Sequence, residues 1–160
     1  MRVLAVSAAG VALAAVAAVA ARAALSPAQQ HAACSPGPHR TKVSGHNAIK
    51  FCGPAKVTVH LGAKTLRYSS GLCNRSSAAF TVNIGTAVPG FSGPRPDYFG
   101  LAAQKPRAGT QKNPAIVINT GGKGYAVWRA TVTLAPGLKR GTFKGKLLLK
   151  TTPVSGSFTC

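Results

Sequence analysis

The stretch Lys56-Val57-Thr58-Val59-His60-Leu61 decides the fold class of this chain. Its apolar residues alternate strictly with its polar ones: Val57, Val59 and Leu61 against Lys56, Thr58 and His60. Successive side chains of a β-strand point to opposite faces of a sheet. The alternation therefore predicts a strand with one face buried and the other in water.

The same period of two recurs along most of the chain beyond this stretch. In Ala79–Gly85 the alternation predicts a strand whose side chains Phe80, Val82 and Ile84 point inward. Gly62-Ala63-Lys64 indicates a tight turn, and Asn119–Gly124 is rich in glycine and predicts a hairpin. Further candidate strands are Thr65–Leu72 (Leu66 and Tyr68 inward), Tyr98–Ala102, Ala115–Thr120, Tyr125–Leu134, Thr142–Lys150 and Gly156–Cys160.

The two longest candidate strands give explicit predictions of which side chains are buried. In Tyr125–Leu134, alternation places five residues on one face, which we expect to point inward: Ala126, Trp128, Ala130, Val132 and Leu134. In Thr142–Lys150 we expect apolar residues inward and lysines outward: Phe143, Leu147 and Leu149 against Lys144, Lys146 and Lys150.

Turn signals at short intervals and the lack of a helical period beyond Ala24 indicate an all-β domain. We expect an antiparallel β-sandwich or a partly closed barrel of about 7–9 short strands over residues 47–160. Residues 24–46 contain Gln29-Gln30 and Ser35-Pro36-Gly37-Pro38, with few large apolar side chains. They predict a flexible tail, because such a segment cannot bury enough surface to fold alone.

Residues 1–23 predict a signal peptide. Arg2 precedes the apolar run Val3–Ala21, and Ala21-Arg22-Ala23 has small residues at the two positions that a signal peptidase reads. The alternative is an uncleaved anchor, since the run approaches the length that spans a bilayer. We expect cleavage, no membrane-spanning segment afterwards, and a protein that is secreted or associated with the cell envelope.

All four cysteines lie beyond the predicted signal peptide: Cys34, Cys52, Cys73 and Cys160. An even number in a small exported chain predicts two disulfides, for which three pairings exist. Lipid attachment at Cys34 is not expected, because His31 stands where a large aliphatic residue is required. A metal site among the neighbouring imidazoles and thiols (His31, Cys34, His39, His46 and Cys52) is also not expected, because exported thiols tend to oxidise and the spacings match no paired-ligand motif.

The charge balance excludes several classes of enzyme. The chain has 20 basic residues and one acid, Asp97. Glycoside hydrolysis by paired carboxylates needs two acids, calcium and magnesium sites need several, and a Ser–His–Asp triad would have to use Asp97. That residue lies in the turn-rich segment Gly93–Asp97, where aspartate commonly bonds nearby backbone groups, so we expect a turn or capping residue. We therefore expect no catalytic residue, no bound metal and no cofactor.

A basic stripe near the carboxyl end is the candidate contact for a polyanion: Lys139, Arg140, Lys144, Lys146 and Lys150. The alternative is an ordinary solvated strand face. Specific nucleic-acid binding is not expected, because the aromatic residues Phe143 and Trp128 fall on predicted inward faces and cannot stack on bases. Gly121-Gly122-Lys123-Gly124 lacks the spacing of a phosphate-binding loop and predicts a turn.

Several short motifs resemble the small mycobacterial lipoprotein antigens and their exported relatives. They are Gly71-Leu72-Cys73, Phe80–Gly85, Gly141-Thr142-Phe143-Lys144-Gly145 and the final strand that ends at Cys160. The resemblance covers roughly residues 54–160 and implies a β-rich surface module without assigned catalytic residues. By position it also implies that Cys73 pairs with Cys160 and Cys34 with Cys52. The chain departs from that family in its missing lipid-attachment motif and its far higher basicity, so lipid anchoring does not carry over.

Removal of Arg2 and Arg22 with the signal peptide leaves 18 basic residues against one acid. Such a chain is drawn to anionic polymers and anionic lipid surfaces. We therefore expect a monomeric binding or structural module of the cell envelope or the medium, retained by anionic polymers. The alternative is a secreted inhibitor or an antimicrobial-type effector.

Overall fold

The computed structural model describes residues 34–160 and confirms the all-β prediction. It contains eleven strands: β1 (Gly37–Val43), β2 (His46–Cys52), β3 (Ala55–Leu61), β4 (Lys64–Arg75), β5 (Ala79–Ala87), β6 (Tyr98–Gln104), β7 (Gly109–Lys112), β8 (Ala115–Thr120), β9 (Lys123–Leu134), β10 (Arg140–Leu147) and β11 (Pro153–Thr159). A turn of 3-10 helix, Pro136–Leu138, connects β9 to β10. The predicted signal peptide, residues 1–23, and residues 24–33 lie outside the described part of the chain. None of the helical structure within residues 34–160 has the length and hydropathy needed to cross a membrane.

Eight of the strands form a closed antiparallel barrel. Their order is β5-β4-β3-β11-β10-β9-β8-β6, and β5 pairs with β6 as well as with β4, which joins the two ends of the sheet. The predicted sandwich is therefore wrong, and the barrel is closed rather than partly closed. The strand count also exceeds the expected one, because β1 and β2 form an extra hairpin against β5 and β7 pairs beside β8 on β9.

The flexible tail predicted for residues 24–46 is wrong over its last part. Gly37–Val43 form β1, which pairs with β2 from Gly37 opposite Cys52 to Val43 opposite His46. The prediction considered only what the segment can bury by itself. A strand at the edge of a sheet gains its backbone hydrogen bonds from the neighbouring strand instead, and needs few large apolar side chains.

The barrel interior is filled with side chains that alternate with the outward residues of each strand. The predicted inward residues Val57, Val59, Phe80, Val82 and Ile84 are all buried. Phenylalanine rings occupy the centre: Phe99 lies 5.3 Å from Phe143 and Phe80 lies 5.6 Å from Phe158, between ring centroids. Aromatic pairs at this separation add to the stabilisation from burial. The interior is thus a packed core.

Two glycines make room for two of these rings. Gly141 of β10 lies opposite Phe158 of β11, and Phe143 lies opposite Gly156 two residues further along. A Cβ atom on Gly141 would lie 2.6 Å from the Phe158 ring and 2.6 Å from the carbonyl oxygen of Thr133. Small and large residues therefore exchange places across the β10–β11 pair, as dense packing of a barrel interior requires.

The predicted inward position of Trp128 is wrong, because β9 contains a β-bulge. Residue pairing between β9 and β10 shifts between Lys144 and Lys146, and Arg129 has a φ of 50°. The extra residue reverses the alternation on its amino-terminal side. Val127 is therefore buried, while Ala126 and Trp128 point outward, and 57% of the Trp128 surface is exposed. Beyond the bulge Ala130, Val132 and Leu134 are buried as predicted.

The prediction for Leu149 is also wrong. β10 ends at Leu147, and the following residues form the connection to β11. The amide of Lys150 donates to the carbonyl of Leu147, so the chain turns there and Leu149, with a φ of 67°, is 97% exposed. An alternating pattern cannot show where a strand stops when the next residues are also apolar.

Two disulfides close the structure, and the pairing implied by the family resemblance is confirmed. Cys34 bonds to Cys52 and Cys73 bonds to Cys160, which uses every cysteine in the described residues. Disulfides persist in oxidising compartments and are rare in the cytosol. The bonded cysteines therefore indicate an oxidising environment outside the cytosol.

Candidate polyanion-binding face

The basic residues of the described chain are all at the surface. Each of the 18 Lys and Arg side chains from Arg40 to Lys150 is exposed, and the sole acid, Asp97, is exposed as well. Long cationic side chains keep their heads in water at little cost, and like charges repel one another across the surface. The surface as a whole therefore attracts anions, and the distribution of other groups decides where contact is best.

The predicted basic stripe runs along the outward face of β10. Arg140, Lys144 and Lys146 share the outward face of this strand, since Phe143 and Leu147 point into the core. Lys139 immediately precedes the strand, and Lys150 lies in the turn after it. At a rise of about 3.4 Å per residue, Arg140 and Lys146 are about 20 Å apart. The structure thus lays the stripe along one strand rather than gathering it at one point.

Rows of hydroxyl groups, which the sequence analysis did not predict, cross the barrel beside Lys144. One row runs over six strands through residues in register: Thr110, Thr133, Thr142, Ser157, Thr58 and Arg67. The next row passes through Lys144: Lys112, Thr131, Lys144, Ser155, His60 and Thr65. A third joins Arg140, Thr159 and Lys56. We call these three rows the hydroxyl face.

The hydroxyl face combines hydrogen-bonding groups and cations on the curved outer surface of the barrel. A shallow depression of about 460 Å³ follows the rows and is lined by His60, Thr131, Thr133, Thr142, Lys144, Ser155 and Ser157, among others. The Thr110 and Thr133 hydroxyls are 2.8 Å apart, and Nδ1 of His60 lies 3.1 Å from the Thr65 hydroxyl. Hydroxyl and ammonium groups both donate hydrogen bonds to phosphate, sulfate or carboxylate oxygens. The face is therefore suited to an extended anionic chain.

Asp97 is remote from this face and has a structural role. Its Oδ1 accepts a hydrogen bond from the Gly121 amide at 3.2 Å, and the neighbouring Arg95 amide donates to the Gly122 carbonyl at 3.0 Å. The segment before β6 thereby holds the turn of the β8–β9 hairpin. That turn is at the opposite end of β9 from Thr131 and Thr133. Asp97 thus bonds a backbone group, but that group lies 24 residues away and not in the nearby turn that was predicted.

Tyr68 is anchored next to this hairpin. Its hydroxyl donates to the Asn119 carbonyl at 3.1 Å. Burial and, to a smaller extent, the negative charge of Asp97 raise the pKa of Tyr68 from 10.0 to about 12, while a hydrogen bond with Thr120 opposes both effects. Burial also raises the pKa of Tyr98, whose hydroxyl donates to Oδ1 of Asn83 at 2.7 Å. Both phenols are therefore neutral hydrogen-bond donors at physiological pH.

Three of the five residues considered as metal ligands in the sequence lie close together. The ligand atoms of Cys34, His39 and Cys52 lie within 4.8 Å of one another. The two sulfurs are bonded to each other, however, and thiolates rather than disulfide sulfurs bind zinc and copper. Nε2 of His39 lies 2.7 Å from the Ser35 carbonyl oxygen. His46 packs against Phe91 in a tilted arrangement, with ring centroids 4.8 Å apart, and His31 lies outside the described residues.

The glycine-rich segment Gly121–Gly124 forms a hairpin turn, as predicted, and its last two residues also begin β9. Gly121 and Gly122 have φ values of 57° and 77°, and Thr120 pairs with Lys123 across the two-residue turn. Positive φ at both central positions is the geometry of the tightest hairpins and favours glycine.

Comparison of the chain with protein families, with curated proteins and with solved structures yields no match in any of the three.

Proposed function

We propose that the protein is an exported, non-catalytic binding module, secreted or associated with the cell envelope, that is retained on anionic envelope polymers. The hydroxyl face is the contact surface in this proposal. The observation that carries it is the position of Lys144 in a row of hydroxyl groups. Arg140 lies on the same strand, Lys56 and Lys112 lie two strands away on either side, and Asp97 bonds the turn before β9.

The spacing of these cations supports an extended polymer rather than a small anion. Lys144 and Arg140 are four residues apart on one strand, which corresponds to about 14 Å. No single phosphate or carboxylate spans that distance, whereas a polymer with an anionic group on each repeat unit meets several cations at once. Several weak contacts on one chain then act together, because each later contact is intramolecular.

A charge-matched pair of variants tests this proposal. The face variant K56Q/R140Q/K144Q and the hairpin variant R40Q/K42Q/K50Q remove the same number of charges, the second from β1 and β2. Binding to immobilised teichoic acid is measured from 50 to 500 mM salt, with neutral dextran as the blank. Exposed ion pairs contribute about 0.2–1 kcal/mol each, so the face variant is expected to bind about 3- to 150-fold more weakly than the wild type at low salt.

The hairpin variant separates a defined face from general charge. We expect it to lose much less affinity, and binding of the wild type to fade as salt shortens the screening length to a few ångströms. Equal losses in the two variants would show that net charge alone retains the protein. Binding that does not respond to salt would contradict the proposal.

A further inference from the structure

A second surface of the barrel is apolar and lies next to the hydroxyl face. It consists of small and large apolar residues that point outward from β6, β8, β9 and the start of the β10–β11 connection: Ala102, Ala115, Val117, Ala126, Trp128, Leu148 and Leu149. We call it the apolar patch. Its members are neighbours in register, since Ala102 pairs with Ala115 and Val117 with Ala126, and the Leu148 amide donates to the Ala126 carbonyl at 2.8 Å.

The exposure of this patch is built into the backbone. The bulge at Arg129 turns Trp128 outward, where 57% of its surface is exposed, and the turn after β10 leaves Leu148 47% and Leu149 97% exposed. Val117 adds 37%. Single exposed apolar side chains are ordinary, but a contiguous apolar surface rimmed by charge marks an interaction site. The alanine side chains at the centre of the patch are short, so Trp128, Leu148 and Leu149 project beyond them into solvent.

Cations border the patch at both ends. Lys146 lies directly opposite Trp128 across the β9–β10 pair. Arg95 and Lys150 line a depression of about 450 Å³ together with Val117, Ala126, Leu148 and Leu149. Beyond Ala102 and Ala115, a larger depression of about 770 Å³ contains Lys105, Arg107 and Lys112. An apolar centre between two groups of cations therefore covers one side of the barrel.

We propose that the apolar patch docks the protein onto an anionic phospholipid bilayer. A bilayer presents acidic headgroups above a hydrocarbon layer, so it matches both the cationic rim and the apolar centre. Tryptophan favours the boundary between the two layers, and lysine and arginine stems reach along apolar surface to keep their charges at the headgroups. A second copy of the chain is a poor occupant, because it would bring two strongly cationic rims together.

This inference goes beyond the proposed function, since it adds lipid to the anionic polymers and uses a different surface of the barrel. The chain has a single tryptophan, Trp128, which reports directly on the patch. The exported protein is mixed with vesicles of phosphatidylcholine that contain either no phosphatidylglycerol or about a third of it. We expect at least tenfold stronger binding to the anionic vesicles, a blue shift of the tryptophan emission, and quenching by lipids brominated near the headgroup.

Matched variants decide between the patch and the charge. L148S/L149S keeps the net charge and the fluorescent probe. I49S is its control, because Ile49 is also an exposed large apolar residue but lies on β2, outside the apolar patch. We expect L148S/L149S to bind anionic vesicles at least tenfold more weakly with an unchanged circular dichroism spectrum, and I49S to bind as the wild type does. Binding of L148S/L149S to teichoic acid should be unchanged, which separates this inference from the proposed function.

Three results would overturn the inference. The first is vesicle binding without any change in the emission of Trp128. The second is equal binding by L148S/L149S and the wild type, which would leave charge as the sole attraction. The third is a dimer in sedimentation that L148S/L149S abolishes, which would identify a second copy of the chain as the occupant. Failure of the teichoic acid experiment with vesicle binding intact would reject the proposed function alone.

Discussion

Removal of the Cys73–Cys160 disulfide is expected to destabilise the protein far more than removal of Cys34–Cys52. The two bonds join residues 87 and 18 positions apart, respectively. Cross-linking restricts the unfolded chain more when the loop is longer, and the chain-entropy relation gives about 4.6 kcal/mol for the first bond and about 3.2 kcal/mol for the second. The free energy of unfolding of a whole domain is only about 5–15 kcal/mol.

The positions of the two bonds widen this difference. Cys73 and Cys160 pack against the barrel core, and their bond joins β4 to the end of β11 across β3. Cys52 belongs to the β1–β2 hairpin, which meets the barrel through the pairing of Ile49–Phe51 with β5. The hairpin can therefore open without unfolding the barrel, and local opening contributes little to global stability. We expect the loss from C34S/C52S to fall well below 3.2 kcal/mol.

Urea unfolding followed by far-ultraviolet circular dichroism measures both losses, since the exposed Trp128 is a poor reporter of the core. With a slope of about 1–3 kcal/mol per molar urea, a loss of about 4.6 kcal/mol lowers the midpoint by about 1.5 to 4.6 M. The alanine pair C73A/C160A should give the same shift as C73S/C160S if the cross-link, rather than a buried hydroxyl, is responsible. A midpoint shift for C34S/C52S that equals or exceeds that of C73S/C160S would refute the reasoning.

Four further expectations follow from individual residues. Gly141→Ala should lower the free energy of unfolding by about 1–3 kcal/mol, measured by urea, because its Cβ would overlap the ring of Phe158; an unchanged midpoint would contradict the packing. Trp128 should emit as a solvent-exposed indole and be quenched by iodide in the free protein, whereas a blue-shifted, unquenched emission would place it in the core. The folded protein holds the Tyr68 proton more tightly than the unfolded chain, since the pKa rises from 10.0 to about 12. Stability from this group is therefore complete below pH 10 and lost between pH 10 and 12, and Y68F should show a shallower fall in melting temperature over that range. Amino-terminal sequencing of protein from the medium should begin near Ala24, and recovery of the uncleaved chain from membranes alone would contradict the signal prediction.

The sequence could predict which strands exist because alternation is a local property. The prediction of Lys56–Leu61 and Ala79–Gly85 needed no knowledge of their partner strands. Their inward residues are buried as expected, except that Leu61 is only partly buried against the core. The prediction failed where a partner strand decides the geometry. The bulge at Arg129 exists relative to β10, and closure of the barrel depends on the pairing of β5 with β6, which are joined by the turn-rich segment from residue 88 to 97. Neither pairing leaves a mark in the local pattern.

The residues of the candidate site also fall into a part that the sequence could predict and a part that it could not. Arg140, Lys144 and Lys146 were predicted to share a face, since alternate residues of one strand point the same way. The hydroxyl rows beside Lys144 were not predicted, because each row takes one residue from each of several strands, and register between distant strands cannot be read from spacing. The apolar patch was missed for a specific reason: the reversed alternation at Trp128 assigned its main side chain to the core.

The motifs that resemble the lipoprotein antigens have a physical cause in this barrel. Gly141 and Phe143 on β10 face Phe158 and Gly156 on β11, so Gly141 and Gly156 stand at the positions that the opposing rings need. Any barrel that packs two rings in this way would require the same residues, and these motifs therefore report on the interior. The residues between them point outward: Thr142 and Lys144 on β10, and Ser155 and Ser157 on β11. On each of these two strands one set of alternate residues builds the core and the other set builds the hydroxyl face. A search for relatives that share the proposed binding role should therefore compare the outward residues, because agreement at the inward ones follows from packing alone.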